Sequence, residues 1–322
     1  MPKPIIQILK ENKTFLLTTH VNVDPDALCS QLAMGLFLKW LGRKPILIGE
    51  EKIPARYQFL DASREIKVLS KRQKIDYDAL IVLDCGDLNR IGEVKRLLDE
   101  DKPIINIDHH VTNELFADFN LVKPKASSTC EVLYEFFKDA GFPLTKRAAV
   151  LLYTGIMTDT GSFCYDNTTA KTHRIVSDLL KFNLPVHELY RRLYEMMLLE
   201  DIKKFSRLIG DIAVLFKGKI VCVKLSRRAA AKFSQNFDLR DTIFKFLRAI
   251  QGVEVVVIFT EIESRETRVN FRSNGKYDVA RLAKVFQGGG HRQASGCLIK
   301  ENIAGAKKAV LTEVKKIIGK DL

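Results

Sequence analysis

A chain of 322 residues that is 46% hydrophobic and 28% charged has an ordinary globular composition and enough length for two domains. Its start, MPKPIIQILKENK, mixes charge into the apolar positions and offers no signal-peptide core. No apolar run reaches the roughly 18 residues of a membrane span, so a soluble cytoplasmic protein with no membrane partner is expected. The net charge of +13 is uneven: residues 1–185 hold 25 Lys/Arg against 24 Asp/Glu, and residues 186–322 hold 27 against 15, which fits either a solvated basic surface or one that handles a polyanion.

In chain order, FLLTT (15–19) reads as a strand and residues 27–41 as a helix. KPILIG (44–49), ALIVLD (79–84) and PIINID (103–108) follow as buried, β-branched runs bounded by polar turns. Alternation with helices predicts a doubly wound α/β domain with a largely parallel sheet. From Ser128 the pattern turns helical, and Ser128 and Glu131 have capping-box spacing ahead of VLYEFF. TKRAAVLLYTGIMTDTG and AKTHRIVSDLLKFN continue it, and Pro185 opens an amphipathic segment, VHELYRRLYEMMLLEDIKKF, read as a helical linker. Beyond residue 200, IAVLF, KIVCVKL, VEVVVIFT and TRVNFRS read as strands and DVARLAKVF as a helix. The expected division is a catalytic domain at 1–185, a linker at 186–200 and a smaller α/β domain at 201–322, with a cleft between the two domains. Six scattered cysteines (29, 85, 130, 164, 222 and 297) form no CxxC pair, which suits reduced, packed thiols and argues against structural zinc.

Four Asp/His clusters fall at the predicted carboxyl ends of strands or in a helical turn able to reach them. They are His20, Asp24 and Asp26 after the first strand, Asp84 closing ALIVLD, Asp108-His109-His110 closing PIINID, and Asp159 in GIMTDTG. Ligands of open α/β sheets bind at those ends. Singly, each cluster has a structural explanation: Asp24 or Asp26 can cap a helix, Asp84 can close a turn, and a histidine can simply pack. Four together argue for a site. Oxygen and imidazole donors without thiolate suit Mn²⁺ or Mg²⁺ better than structural zinc. They exceed the needs of one ion, whereas two ions sharing a carboxylate would use them all, as in phosphoryl hydrolysis.

The segments HVNVDPDAL, VLDCGD, NIDHH and TDTGSF, in that order between about residues 14 and 170, resemble the four motifs of the DHH phosphoesterase superfamily. RSNGKYDVARLAKVFQGGGHRQASG (272–296) resembles its associated C-terminal substrate domain. The likeness extends to the bacterial nanoRNase/pAp phosphatase branch, which joins short-oligonucleotide exonuclease to 3′-phosphoadenosine 5′-phosphate (pAp) phosphatase activity. The resemblance implies two divalent ions, Mn²⁺ first with Mg²⁺ or Co²⁺ as alternatives. His20, Asp24 and Asp84 would hold one, and Asp26, Asp84, His109 and Asp159 the other, with Asp84 the bridge and a water between them the nucleophile. It implies that His110 faces the scissile phosphate or leaving group and that Asp108 orients a neighbouring histidine.

In the C-terminal part, GGGH (288–291) reads either as an ordinary glycine turn or as a loop presenting N–H groups to an anion, and the His291-Arg292 pair favours the anion. Strand alternation puts Arg268, Asn270 and Arg272 on one face. With the resemblance, Arg272, Gly288, Gly289, Gly290 and His291 are expected to hold substrate, with Arg268 beside them. Trp40, His173, His187, Arg191-Arg192 and Arg227-Arg228 read as packing or surface residues. The expected enzyme hydrolyses very short RNA and pAp, and the resemblance leaves room for a homodimer. The alternatives are a phosphodiesterase for linear dinucleotides (pApA or pGpG), an inorganic pyrophosphatase or polyphosphatase, and a nucleotide sensor without turnover.

Overall fold

The computed structural model describes residues 3–60, 63–234 and 237–318, leaving aside the side chains of Lys3, His291, Ile317 and Ile318. The chain forms two compact units that divide between Glu195 and Met196.

The first unit runs α1 (Lys3–Glu11), β1 (Thr14–Thr18), α2 (Pro25–Trp40), β2 (Lys44–Gly49), β3 (Lys67–Val68), β4 (Ala79–Leu83), β5 (Ile104–Asp108), β6 (Phe119–Val122), α3 (Thr129–Asp139), α4 (Lys146–Asp159), α5 (Ala170–Leu180) and α6 (Val186–Tyr194). Its six strands pair in the order β3-β2-β1-β4-β5-β6, all parallel. The chain winds outward from β1 in one direction and from β4 in the other. Their adjacent carboxyl ends are therefore the switch point at which such sheets open a ligand crevice. The period-2 alternation of the strands is buried on both sides. Phe15, Leu17, Ile81 and Leu83 pack in the large core with residues of α2, α3 and α4, while Leu16, Leu80 and Val82 pack with Ile91 and Val94 of the 3₁₀ stretch Leu88–Leu97. Burial of both faces is why these strands read as continuous apolar runs.

The second unit runs α7 (Leu199–Gly210), β7 (Ala213–Leu215), β8 (Ile220–Leu225), α8 (Arg227–Ala230), α9 (Leu239–Arg248), β9 (Val255–Glu263), β10 (Glu266–Ser273), α10 (Val279–Val285), β11 (Gly289–His291), β12 (Ala294–Ile299) and α11 (Ile303–Ile318). Its mixed sheet is ordered β11-β12-β10-β9-β8-β7, with β8 and β9 parallel and the other pairs antiparallel. Val255, Val257, Phe259, Val269 and Phe271 share one core with Val279 and Leu282 of α10 and Val310 and Val314 of α11. Val256, Ile258, Val221 and Val223 share the other with Phe205 of α7 and Ile243, Phe244 and Leu247 of α9.

Two local expectations change. The segment read as one helical linker is two helices, α6 and α7, interrupted at 195–198. Leu189 of α6 is buried in the core of the first unit and Phe205 of α7 in that of the second, so each helix is anchored by its own unit. The capping box at α3 is half formed: Ser128 Oγ accepts from the Glu131 amide at 3.0 Å, but the Glu131 carboxylate accepts from Ser127 Oγ and Thr172 Oγ1 instead of reaching back. Among the described residues, no helix is long and apolar enough to cross a membrane.

Candidate metal centre

Each of the four segments places its polar residues at the carboxyl edge of the first sheet for a local reason. After β1 the chain turns through His20 into α2, which opens on Pro25 at its first turn with Asp24 as its cap. Asp24 Oδ1 accepts the Ala27 amide at 3.0 Å, while its Oδ2 lies 3.7 Å from His20 Nε2. Capping and site geometry thus use different oxygens of one carboxylate. Asp84 leaves β4 in the left-handed region at φ 55°, a conformation Asp tolerates better than most residues, with its amide donating to Ile107 O at 3.0 Å. Asp108 ends β5, His109 and His110 follow, and Asp159 ends α4.

Donor atoms close to within 4.8 Å in three groups: His20-Asp24-Asp84, Asp26-His109-Asp159 and Asp84-His109-His110. Asp84 links them through opposite oxygens. Its Oδ2 lies 3.7 Å from His20 Nε2, and its Oδ1 lies 3.6 Å from His109 Nε2 and 3.9 Å from His110 Nδ1. His109 Nε2 is 3.4 Å from Asp159 Oδ2. Asp26 is buried, with Oδ2 and Oδ1 accepting the Thr129 and Cys130 amides at 2.7 and 3.1 Å. Gly155 allows this approach, because a Cβ there would stand 2.6 Å from Asp26 Oδ1 and 2.3 Å from Cys130 Sγ.

His20 and His109 present Nε2 to this space, whereas His110 approaches Asp84 through Nδ1. Nδ1 of His20 lies 2.9 Å from Val21 O, Nδ1 of His109 lies 3.3 Å from Ala126 O, and Nδ1 of His110 lies 2.7 Å from Asp108 Oδ1. A carbonyl or carboxylate partner can only accept, so Nδ1 carries the proton and Nε2 keeps its lone pair when the ring is neutral. Asp108 in turn accepts from Asn113 Nδ2 at 2.6 Å, and Asn113 Nδ2 is 2.8 Å from Asn106 Oδ1. Asn113, Asn106 and Thr129 escape a reading of the sequence, because a neutral amide or hydroxyl outside a charged motif carries no pattern.

The electrostatics register crowding. Burial would lower the histidines, but Asp24 and Asp84 raise His20 to about 10, and Asp159 and Asp84 raise His109 to about 9. Burial pushes Asp159 up to about 7, and burial with the nearby Asp84 and Asp159 pushes Asp26 well above the usual carboxylate range. Burial opposes ionisation of Asp84 too, but the close approach of His20 and the charges of His110 and His109 hold its carboxyl far below that range. Four carboxylates facing two imidazole lone pairs form a donor set that suits hard divalent cations. Burial pushes the adjacent Cys85 thiol up to about 12 and the Cys130 thiol well above its ordinary value, so neither supplies a thiolate.

In the second unit, β10 alternates as its pattern predicts: Val269 and Phe271 are buried, and Arg268, Asn270 and Arg272 lie on the opposite, partly exposed face. The Arg272 guanidinium sits 4.7 Å over the Phe244 ring, and its Nη1 donates to Phe271 O at 3.1 Å. Asn270 Oδ1 is buried with no hydrogen-bond partner among the described residues. GGGH is not an open loop. Gly289, Gly290 and His291 form edge strand β11 paired to Gly296, Ser295 and Ala294. A Cβ at Gly288 would meet Gly296 O at 2.2 Å and one at Gly290 would meet Ala294 O at 2.5 Å, so close strand contact demands these two glycines, while Gly289 faces open space. The His291 side chain lies outside what is described. Trp40 packs on Phe37 and Phe142, His173 lies 5.7 Å from the Phe163 ring, His187 sits on α6, Arg191 and Arg192 bind Glu188, and Arg227 and Arg228 lie on α8.

Residues 14–156 match the DHH family, N-terminal domain, and residues 219–320 match the DHHA1 domain. The chain is 30% identical over 311 residues to the bifunctional oligoribonuclease and PAP phosphatase NrnA of Bacillus subtilis, covering 93% of each chain. It is 29% identical to the protein of the same name from Thermus thermophilus, covering 88% of this chain and 83% of that one. An exopolyphosphatase-related protein from Bacteroides fragilis shares the fold, with a TM-score of 0.88 at 23% identity over 99% of this chain and 97% of that one. The chain belongs to the DHH family of metal-dependent phosphoesterases, with a DHHA1 domain following the DHH domain.

Proposed function

We propose that this protein hydrolyses very short RNA to mononucleotides and removes the 3′-phosphate of pAp, using two divalent cations, Mn²⁺ in preference to Mg²⁺ or Co²⁺. The observation that carries this reading is the division of Asp84 between the two donor groups, Oδ2 toward His20 and Oδ1 toward His109. The relatives named for oligoribonuclease and PAP phosphatase activity support the substrate class.

In this reading His20, Asp24 and Asp84 hold one cation, and Asp26, Asp84, His109 and Asp159 the other. Bound there, the pair supplies Lewis acidity, neutralising phosphate charge and acidifying water. Asp84, ionised through its histidine contacts, keeps both oxygens available. Asp108 fixes the His110 ring through Nδ1 and leaves Nε2 to meet the scissile phosphate or, in the imidazolium form that Asp108 favours, to give its proton to the leaving oxygen. Arg272, its guanidinium held over Phe244, binds substrate phosphate with Arg268 and Asn270 beside it on β10, and Gly288–Gly290 and His291 complete that surface. Six free cysteines fit a cytoplasmic enzyme.

A turnover panel in Mn²⁺ with pAp, pApA, a five-residue RNA, a 24-residue RNA and pyrophosphate, each with an EDTA control, tests this. EDTA-sensitive hydrolysis of pAp and the five-residue RNA, with the 24-residue RNA slow, is the expected result. Preference for pApA over both would make linear dinucleotides the substrate. Activity confined to pyrophosphate would overturn the proposal.

A further inference from the structure

The turn that opens α3 braces both donor groups. Thr129 is 0% exposed, and its hydroxyl donates to Asp84 Oδ1 at 2.7 Å. Its amide and that of Cys130 hold the two oxygens of Asp26. One turn therefore grips carboxylates from two other segments. A carboxylate with no such donor can rotate about its Cβ–Cγ bond and interchange its oxygens. Here the hydroxyl pins the oxygen that faces His109 and leaves the other toward His20.

The brace is itself fixed. Ser128 caps α3, and Glu131 Oε2 accepts from Ser127 Oγ at 2.6 Å and from Thr172 Oγ1 at 2.9 Å. Asn167 Nδ2 donates to Ser127 O at 2.9 Å and to Asp159 O at 3.1 Å, tying the same turn to the end of α4. These hydrogen bonds tie the turn to α4 and α5, although Asn167 Oδ1 itself is buried with no hydrogen-bond partner among the described residues.

We propose that Thr129 is a positioning residue of the metal centre. Its hydroxyl holds Asp84 in the orientation that divides its oxygens between two cations, and binding of the second cation depends on it. This rests on the two-cation reading above. Thr129→Val removes the hydroxyl and keeps the shape and the amide that holds Asp26; Thr129→Ser keeps the hydroxyl. Mn²⁺ binding to the metal-free chains, followed by calorimetry and by the spin-coupled electron paramagnetic resonance signal of paired Mn²⁺, reads the effect without turnover. The valine variant is expected to bind one Mn²⁺ as the wild type does and the other about 10–100-fold more weakly, with the coupled signal reduced in proportion. The serine variant is expected to restore both. Should the valine variant not fold, Thr129→Ala makes the same comparison. Two wild-type affinities and an undiminished coupled signal in the variant lacking the hydroxyl would overturn the proposal, as would a serine variant no better than that variant. A wild type that never binds a second Mn²⁺ would overturn the two-cation reading beneath it.

Discussion

Asp84 combines three properties at one position: a left-handed backbone, near-complete burial and an oxygen toward each donor group. Asp84→Ala is expected to lower turnover by at least roughly 10²–10³-fold, and stopped assays with pAp in Mn²⁺ check it. Near-normal rates would remove Asp84 from the reaction. The histidines make a second expectation at this scale. Without metal, His20 and His109 bind protons to about pH 10 and 9, and Asp159 to about 7, all higher than in an unfolded chain. Through the two histidines the folded metal-free chain binds more protons than the unfolded one from about pH 6.5 to about 9, so its stability falls as pH rises through this range. A cation needs those same groups deprotonated, so Mn²⁺ affinity rises with pH over the same interval. Melting temperatures at pH 6 and pH 9 are expected to move down without Mn²⁺, with the stabilisation by saturating Mn²⁺ larger at pH 9. A shift by Mn²⁺ that is independent of pH would contradict the assignment of His20 and His109.

At the scale of elements, β11 and β12 separate fold from function most cleanly. Gly288→Ala drives a Cβ to 2.2 Å from the backbone oxygen of Gly296 and is expected to destabilise the protein by about 1–3 kcal/mol. Gly289→Ala has no atom within 4 Å, so its melting temperature should stay near that of the wild type while KM for short RNA rises, if this edge meets substrate. Unchanged KM in the second variant would take Gly289 off the substrate surface. Much of this architecture was open to inspection in the sequence. ALIVLD, PIINID and KPILIG announce buried parallel strands because both sheet faces are covered, and the acidic clusters stand out because charge at a strand end is costly without a purpose. The α3 brace did not stand out, since Thr129 lies 45 residues from Asp84 and its hydroxyl looks like any helix-opening residue. GGGH resembles a loop because glycine carries no strand propensity, yet Gly288 and Gly290 are required by the contact with β12. The two-residue β3 and the partly exposed β6 lack the length and periodicity that mark a strand.

Across the whole molecule, chemistry and charge are unevenly shared. The convergent Asp/His clusters lie in the first unit, while residues 186–322 hold 27 Lys/Arg against 15 Asp/Glu. If that excess serves a polyanionic substrate, Arg272→Ala should raise KM for a five-residue RNA by roughly 10–100-fold with a smaller change in kcat. The slope of log kcat/KM against log salt should also become shallower by about 0.7, the loss of one phosphate contact. A fall in kcat as large as that in kcat/KM would place Arg272 in the transition state.

Whether two cations act together around Asp84 is measured directly by pAp turnover at pH 8 as Mn²⁺ is titrated from zero to several equivalents into metal-free protein, with bound Mn²⁺ counted at each point. Turnover is predicted to stay low through the first equivalent, to rise with the second and to vanish in EDTA. Full activity at one equivalent, or activity that survives EDTA, would contradict the account.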